Sequence, residues 1–170
     1  MRKKRLYISF LTVVCFIVIV LLLCRKNSKI GQDSCMMLPD ISALSYDGNL
    51  FELDKLDKAK TTIVFFFSPE CDHCEEEIKE ILSRKPLLEN KDIRWIFITM
   101  DVLKDELGVF LDSYPIDKMS NAYVLLDNSL FYHSLFEAPG SPSVFIFDKS
   151  GRLVHKIVGG FNINILMQWL

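Results

Sequence analysis

The sequence lacks an excess of charge of either sign. Its 20 lysine and arginine residues are offset by 22 aspartate and glutamate residues, so the formal net charge is only −2. Proteins that bind nucleic acid usually carry a basic stripe or patch on one face, and no such stripe is found here. We therefore expect no nucleic-acid partner. Internal repeats and low-complexity segments are also absent, and 170 residues suit one ordinary domain with a short appendage.

Metal-binding patterns are missing as well. The sequence has three histidines, His73, His133 and His155, and its Cys-x-x-Cys pair is formed by Cys71 and Cys74. A structural zinc site needs four ligands, commonly from two such pairs. His133 and His155 are well separated, follow no ligand spacing, and are expected to lie at the surface. We expect no metal in this protein.

A long apolar run occurs at one place only. Residues 6–24 carry no charge, and 19 residues at about 1.5 Å per residue nearly span the roughly 30 Å hydrocarbon layer of a bilayer. Four basic residues at positions 2–5 precede the run, and basic residues favour the cytoplasmic side of a spanning helix. The sequence therefore predicts a cytoplasmic tail at 1–5, a single transmembrane anchor at 6–24, a linker at 25–34 and an extracytoplasmic domain at 35–170, in the periplasm or at the cell surface.

Two other interpretations of the N-terminal segment stay open. A cleaved signal peptide would have a shorter apolar region of about 7–15 residues and would end in small residues, whereas this run ends in three leucines and Cys24. A lipoprotein signal would place the acylated cysteine at Cys24, although a small residue usually precedes that cysteine and Leu23 does so here. Each interpretation places the domain at a membrane or beyond it.

Apolar periodicity in the rest of the chain indicates an α/β fold. Residues 61–67 are β-branched or aromatic at every position, as expected of a central strand covered on both faces. Alternation of strands with helices implies parallel strands linked by crossovers, and a turn at 148–151 adds a terminal antiparallel hairpin. Strands are predicted at 61–67, 93–99, 122–126, 143–147 and 153–158, with a hairpin at 41–53; helices are predicted after Cys71 and at 103–114, 130–136 and 163–170.

Cys71-Asp72-His73-Cys74 lies where the buried strand gives way to a helix. Free N–H groups and the positive end of the helix dipole stabilise a thiolate at this position, and only the thiolate attacks a disulfide. Two intervening residues place the second thiol within one helical turn, close enough to form a disulfide and release a bound partner. We therefore predict that Cys71 is the exposed nucleophile and Cys74 is the buried resolving thiol.

The sequence resembles the thioredoxin-like superfamily, within the membrane-anchored redoxin group that includes thiol–disulfide reductases of cytochrome c maturation. Three segments carry the resemblance in the expected order, 37–53, 63–74 and 140–152, and the likeness covers roughly Leu38 to Leu170. It implies a thioredoxin-like fold, with a central mixed sheet flanked by helices. It also implies that Pro142 is cis and packs beside the active-site disulfide, and that the backbone of Ser141 pairs with the substrate chain.

Two positions depart from the family pattern. Glu70 replaces an aromatic residue that often precedes the first cysteine, and Phe65 replaces the buried acid that accepts the proton of the buried thiol in thioredoxin. Asp72, Glu75 or a water are the alternatives for that acceptor. The segment Glu75–Glu77 is otherwise predicted to be a solvated first helical turn.

The direction of electron flow is left open by these residues. Glu70 and Asp72 would oppose a nearby thiolate, whereas His73 in its cationic form would support it. A histidine at this place occurs in oxidising members of the superfamily.

These features predict an extracytoplasmic thiol–disulfide oxidoreductase. Its expected partners are protein thiols or disulfides and an upstream membrane or extracytoplasmic electron donor; its redox group is the Cys71–Cys74 disulfide, with no further cofactor. Two alternatives stay open. One is a peroxiredoxin-like thiol peroxidase, because Ser68 stands three residues before Cys71, although Pro69 is misplaced for that class. The other is a non-enzymatic, membrane-anchored binding module that keeps only the fold.

Overall fold

The structure is a computed structural model that describes residues 36–57, 59–89, 91–100 and 104–170. The predicted tail, anchor and linker, together with Cys24 and Cys35, lie outside these ranges. Within them, no helix is long and apolar enough to cross a bilayer.

The strands of the described residues form two sheets. A small antiparallel hairpin pairs β1 with β2, and Ala43 lies opposite Phe51. The main sheet has five strands in the order β5-β4-β3-β6-β7. The strands are β1 Ser42–Leu44, β2 Leu50–Glu52, β3 Thr61–Phe67, β4 Ile93–Met100, β5 Ala122–Asp127, β6 Ser143–Phe147 and β7 Leu153–Val158.

Strand β3 is the centre of the main sheet. It runs parallel to β4 and antiparallel to β6, so that Phe65 pairs with Phe97 on one side and with Val144 on the other. Hydrogen bonding on both edges and burial on both faces suit its continuous β-branched and aromatic sequence. The predicted central mixed sheet is therefore confirmed, and it places the end of β3 beside the start of β6.

The helices pack around this sheet. In α1, Cys74, Ile78 and Ile81 recur at helical spacing and form the buried face. The helix ends at Ser83, and Pro86 has no N–H with which to continue its hydrogen-bond ladder. The helices are α1 Asp72–Ser83, α2 Lys85–Leu88, α3 Lys104–Ser113, α4 Phe131–Leu135 and α5 Ile163–Met167.

Side chains of β3 alternate between two hydrophobic cores. Phe65 and Phe67 face the core that α1, α3 and α5 help to close, which also contains Cys74. Val64 and Phe66 face the opposite core, which is covered by the β1–β2 hairpin and α4. The period of two along the strand thus assigns neighbouring residues of β3 to different sides of the sheet.

The structure differs from the sequence prediction at three points. The helices α4 and α5 are shorter than their apolar periodicity indicated, and the short α2 was not predicted. The prediction that His133 lies at the surface was wrong, because its ring packs against Phe66 and its Nδ1 contacts Asp127. The prediction of a solvated Glu77 was also wrong, since α1 carries that side chain on its buried face.

We expect Phe97→Ala to lower the free energy of unfolding by about 3–5 kcal/mol, the usual range for a phenylalanine removed from a packed core. Phe97 is fully buried, with the ring centroids of Trp95 and Phe65 at 5.6 and 5.7 Å. Urea unfolding followed by tryptophan fluorescence measures the change. Val109→Ala is the control: Val109 is 70% exposed, and this substitution should change the free energy of unfolding by less than about 0.5 kcal/mol. Equal effects of the two substitutions would contradict the assignment of this core.

Candidate active site

Cys71 stands at the junction between β3 and α1. Its N–H donates to the Ser68 carbonyl across 3.1 Å, which closes a tight turn after the strand. The Sγ atom of Cys71 accepts a hydrogen bond of 3.2 Å from the N–H of Cys74. The sulfur therefore caps α1, where free N–H groups and the helix dipole favour negative charge. The side chain is only half-buried and remains within reach of a partner in solution.

Cys74 lies one turn into α1 and is fully buried. Burial raises the pKa of its thiol, and the neighbouring Cys71 sulfur raises it further, against a smaller opposing effect of a backbone hydrogen bond from Ser68. Both cysteines are free thiols in the structure. The pair is thus asymmetric: one sulfur is accessible and held at a helix N-terminus, and the other is enclosed and has a raised thiol pKa.

Ser141 and Pro142 lie against the first thiol. The Cys71 Sγ–H group donates to the Ser141 carbonyl across 3.6 Å, although the two residues are 70 positions apart. The Ser141–Pro142 peptide bond is cis, as the resemblance implied. The carbonyl of buried Pro142 accepts a hydrogen bond of 2.9 Å from Gly159. The structure therefore brings together four of the five predicted site residues: the two cysteines, Ser141 and Pro142.

His73, the fifth predicted residue, lies on the outer side of the first helical turn. Its Nδ1 is 3.6 Å from Glu76 Oε2, and about three quarters of each side chain is exposed. Solvent screens charges at such a surface position. His73 therefore lies at the solvent-exposed edge of the site, whereas Cys74 is enclosed in the core.

Glu77 is a site residue that the sequence reasoning missed. It lies three positions after Cys74 on α1 and is only 6% exposed. Its Oε1 accepts a hydrogen bond from the Phe161 N–H, and its Oε2 is buried with no hydrogen-bond partner among the described residues. The helical spacing indicates this burial, because Cys74, Ile78 and Ile81 define the apolar face of α1 and position 77 falls on it.

Burial gives the Glu77 carboxyl its chemical character. Burial is the largest cause that raises its pKa, with smaller contributions from Glu80 and Glu76 in the same direction. Its charge also raises the pKa of the Cys74 thiol, so the two groups are electrostatically linked. A carboxyl of raised pKa that is electrostatically linked to a buried thiol could take its proton through a bridging water.

The other acids proposed as proton acceptors have different surroundings. Glu75 Oε1 accepts hydrogen bonds of 2.5 Å from both Lys79 and Tyr114, and these partners, Lys79 foremost, lower the pKa of Glu75. Asp72 is exposed to solvent. Of the acids on α1, Glu77 therefore has the surroundings that best fit a proton acceptor for Cys74.

The described residues near the two cysteines form no candidate metal site. Within the ranges that the structure describes, no set of three or more histidine, cysteine, aspartate or glutamate side chains is arranged to hold a metal ion.

Comparison with known proteins places this site in a family. A model of the AhpC/TSA family matches residues 36–156, and the chain belongs to that family. The chain is also similar to the thiol–disulfide oxidoreductase ResA of Bacillus cereus, at 23% identity over 135 residues, which cover 79% of this chain and 73% of that protein.

Solved structures support the same fold. A thiol:disulfide interchange protein of the thioredoxin family from Chlorobium tepidum TLS superposes with a TM-score of 0.66 at 20% identity, covering 78% of this chain and 92% of its own. A secreted disulfide oxidoreductase of Mycobacterium tuberculosis, homologous to DsbE of E. coli, gives 0.63 at 17% identity, with 75% and 92% covered. The fold is thioredoxin-like, and the named relatives support the prediction of a thioredoxin-like oxidoreductase.

We expect Glu77→Gln to change the pH dependence of stability. Because burial raises the pKa of Glu77 above its ordinary value of 4.5, this group adds stability below that pH and the contribution is lost as pH rises through the folded-state pKa. The variant keeps an oxygen that can accept the Phe161 N–H but no longer titrates. Relative to the unmodified protein, it should therefore be more stable at about pH 7 than at about pH 4.

Urea unfolding of both proteins at the two pH values measures this difference. Glu106→Gln is the control, because it makes the same exchange at an exposed position on α3 and Glu106 is not among the acids that raise the pKa of Glu77; it should change the pH dependence less than Glu77→Gln does. An identical pH dependence for Glu77→Gln and the unmodified protein would show that Glu77 is not held in a destabilised ionised state.

Proposed function

We propose that this member of the AhpC/TSA family is an extracytoplasmic thiol–disulfide oxidoreductase that exchanges disulfides with polypeptide substrates through Cys71 and Cys74. The observation that carries the proposal is the half-exposed Cys71 sulfur, capped by the Cys74 N–H at 3.2 Å and facing the Ser141 carbonyl at 3.6 Å. An accessible thiolate site, a buried second thiol and an adjacent exposed backbone segment are the parts that disulfide exchange requires.

The chemistry follows from this asymmetry. The Cys71 thiolate attacks one sulfur of a substrate disulfide, forms a mixed disulfide and releases the other substrate sulfur as a thiolate, which takes up a proton. Cys74 then gives up its proton, which a bridging water relays to the Glu77 carboxylate, and attacks Cys71 Sγ. The mixed disulfide breaks, and the second substrate sulfur leaves as a thiolate, which is protonated in turn. Two electrons pass from the enzyme dithiol to the substrate, and the same steps in reverse oxidise a substrate dithiol.

The burial of Cys74 protects the intermediate from premature resolution. A thiol of raised pKa is a poor nucleophile until a base removes its proton. Glu77 lies on the same helix face and is only 6% exposed. We propose that it receives the proton when Cys74 attacks. Release of the substrate then depends on the protonation of Glu77.

The proposed location rests on the N-terminal sequence. An uncharged run at 6–24 behind four basic residues favours a single span with the N-terminus inside, and the domain then lies outside the cytoplasm. The description of the Mycobacterium tuberculosis relative as secreted agrees with this location. The redox partners would be protein thiols or disulfides, together with a membrane or extracytoplasmic electron donor.

The direction of electron flow depends on the reduction potential of the cysteine pair. Values in this superfamily run from about −270 mV for a reductant such as thioredoxin to about −120 mV for a strong oxidant. Equilibration of the Cys71–Cys74 pair with glutathione buffers of graded composition measures the potential. A value near the first limit assigns a reductase, and a value near the second assigns an oxidase.

We expect Cys74→Ala to accumulate mixed disulfides with cellular polypeptides through Cys71. Without the second thiol, the covalent intermediate cannot be resolved from within the protein. Non-reducing electrophoresis of acid-quenched cells measures the adducts, and Cys71→Ala is the control because it keeps only the buried thiol of the pair. Absence of adducts under both oxidising and reducing growth conditions would contradict the proposed exchange reaction.

The same variants distinguish the two alternative functions. A thiol peroxidase would consume hydrogen peroxide, and that activity would survive Cys74→Ala. A non-enzymatic binding module would support the same cellular phenotype after Cys71→Ala. Either outcome would replace the proposed function.

We expect Cys71 to react with a membrane-impermeant maleimide in intact cells, because the proposed topology exposes the half-buried sulfur to the outside. Mass spectrometry of the peptide that contains residue 71 measures the label, and Cys71→Ser gives the background. Labelling of Cys71 only after cell lysis would refute the extracytoplasmic location while leaving the exchange chemistry intact.

A further inference from the structure

A buried acid–histidine pair lies on the opposite side of the sheet from α1. Asp127 ends β5 and is 2% exposed, and His133 in α4 is 8% exposed. One carboxylate oxygen, Asp127 Oδ2, is 2.9 Å from the His133 backbone nitrogen and 3.0 Å from its Nδ1. A carboxylate only accepts hydrogen bonds, so both nitrogens donate to it. The disulfide-exchange chemistry does not use this pair directly.

The histidine ring has little other polar function. Its Nε2 is buried without a hydrogen-bond partner among the described residues. The ring packs edge-to-face on Phe66, with the centroids 4.6 Å apart. Burial of an unpaired nitrogen is unfavourable, and an apolar ring would fill the same space without it. The Nδ1 contact with Asp127 is therefore the feature that distinguishes histidine from phenylalanine at this position.

The pair is one of the contacts that hold the short helix α4, beside the Tyr132 hydroxyl, which is hydrogen-bonded to the Ser42 N–H and carbonyl, and the buried Phe136 ring that follows the helix. The helix α4 has five residues, and a helix this short is not stable on its own. It lies between Leu130 and Glu137, whose φ angles of 57° and 48° are unfavourable for residues with a Cβ. Strained residues at both ends persist only where the surroundings fix them. The two hydrogen bonds from His133 to Asp127 tie the helix between them to the end of β5.

A short chain of contacts leads from this pair to the active site. The His133 carbonyl accepts a hydrogen bond of 2.9 Å from the Ala138 N–H. Three residues after Ala138 the chain reaches Ser141, whose carbonyl faces Cys71 Sγ at 3.6 Å. At the far end of the segment, the Gly140 carbonyl accepts a hydrogen bond from the Ser143 hydroxyl at 2.6 Å. His133 thus holds the near end of the segment that carries Ser141 and Pro142.

We propose that His133, anchored by Asp127, is a positioning residue that fixes the Ala138–Pro142 segment for polypeptide substrates. This inference rests on the proposed function, in which a substrate chain lies against the Ser141 backbone. His133 touches neither the substrate nor the sulfurs. It acts through the helix and the segment that it holds, and it sets how well an extended peptide binds beside Cys71.

The test compares a peptide disulfide with a non-peptide disulfide. Reduced full-length protein reacts in single turnovers with a short Cys-x-x-Cys disulfide peptide, and separately with dithiodipyridine, which has no backbone to pair with Ser141. We expect His133→Phe, which keeps the ring but loses the Nδ1 donor, to raise the half-saturating peptide concentration about tenfold. The rate with dithiodipyridine should stay within about twofold of the unmodified protein.

Rescue and control variants separate positioning from general stability. In His133→Asn the side-chain nitrogen can take the place of Nδ1, so this variant should restore most of the peptide affinity. His155→Phe makes the same exchange on β7, where the ring stacks on Trp169 with the centroids 4.4 Å apart, and should leave both reactions unchanged. If His133→Phe does not fold, Asp127→Asn weakens the same contact and should raise the half-saturating peptide concentration in the same direction.

Two results would overturn the inference. One is an unchanged half-saturating peptide concentration in a folded His133→Phe or Asp127→Asn variant. The other is an equal loss of reactivity toward both disulfides. Failure of the unmodified protein to reduce either disulfide is a different outcome, because it would instead refute the proposed function.

Discussion

The antiparallel pairing of β3 with β6 is the constraint on which the site depends. Phe66 lies opposite Ser143 in this register, so the residues that follow β3 and those that precede β6 emerge at the same end of the sheet. Cys71 and Pro142 become neighbours for this reason, although neither is close to the other in sequence. A shift of the register by one residue would turn the aromatic side chains of β3 to the wrong core. Packing on both faces therefore fixes the distance between the thiol and the Ser141 carbonyl.

The two sulfurs acquire different properties from this single arrangement. Cys71 is the last residue before α1 and receives a helix N–H, whereas Cys74 is carried into the core by the first turn of the same helix. Three positions further along, the helix brings Glu77 into the same enclosed environment. A short helical segment thus provides an accessible sulfur, an enclosed sulfur and a buried acid.

Much of the fold could be predicted from local pattern, and parts of the site could not. The continuous apolar run at 61–67 and the alternation of strands with helices were sufficient for the central strand and the mixed sheet, because both follow from burial on two faces. The sequence prediction placed Glu77 in solvent because acidic side chains are usually exposed, although its position in the helical repeat indicated burial. Glu77 falls on the apolar face of α1, while the burial of His133 depends on a contact with Asp127 that only the tertiary structure supplies.

The central position of β3 has a consequence for the synthesis of the chain. Residues 61–67 contain no charge and no proline, and five of the seven, Ile63 to Phe67, are fully buried, a composition typical of segments that form intermolecular β-structure when exposed. Their partner β6 ends about eighty residues later, and at about 5–20 residues per second the ribosome needs roughly 4–16 seconds to reach it. During that interval one edge of β3 has no partner and offers a template for strand pairing between chains. The strand that positions the active site is thus also a segment through which nascent chains can associate.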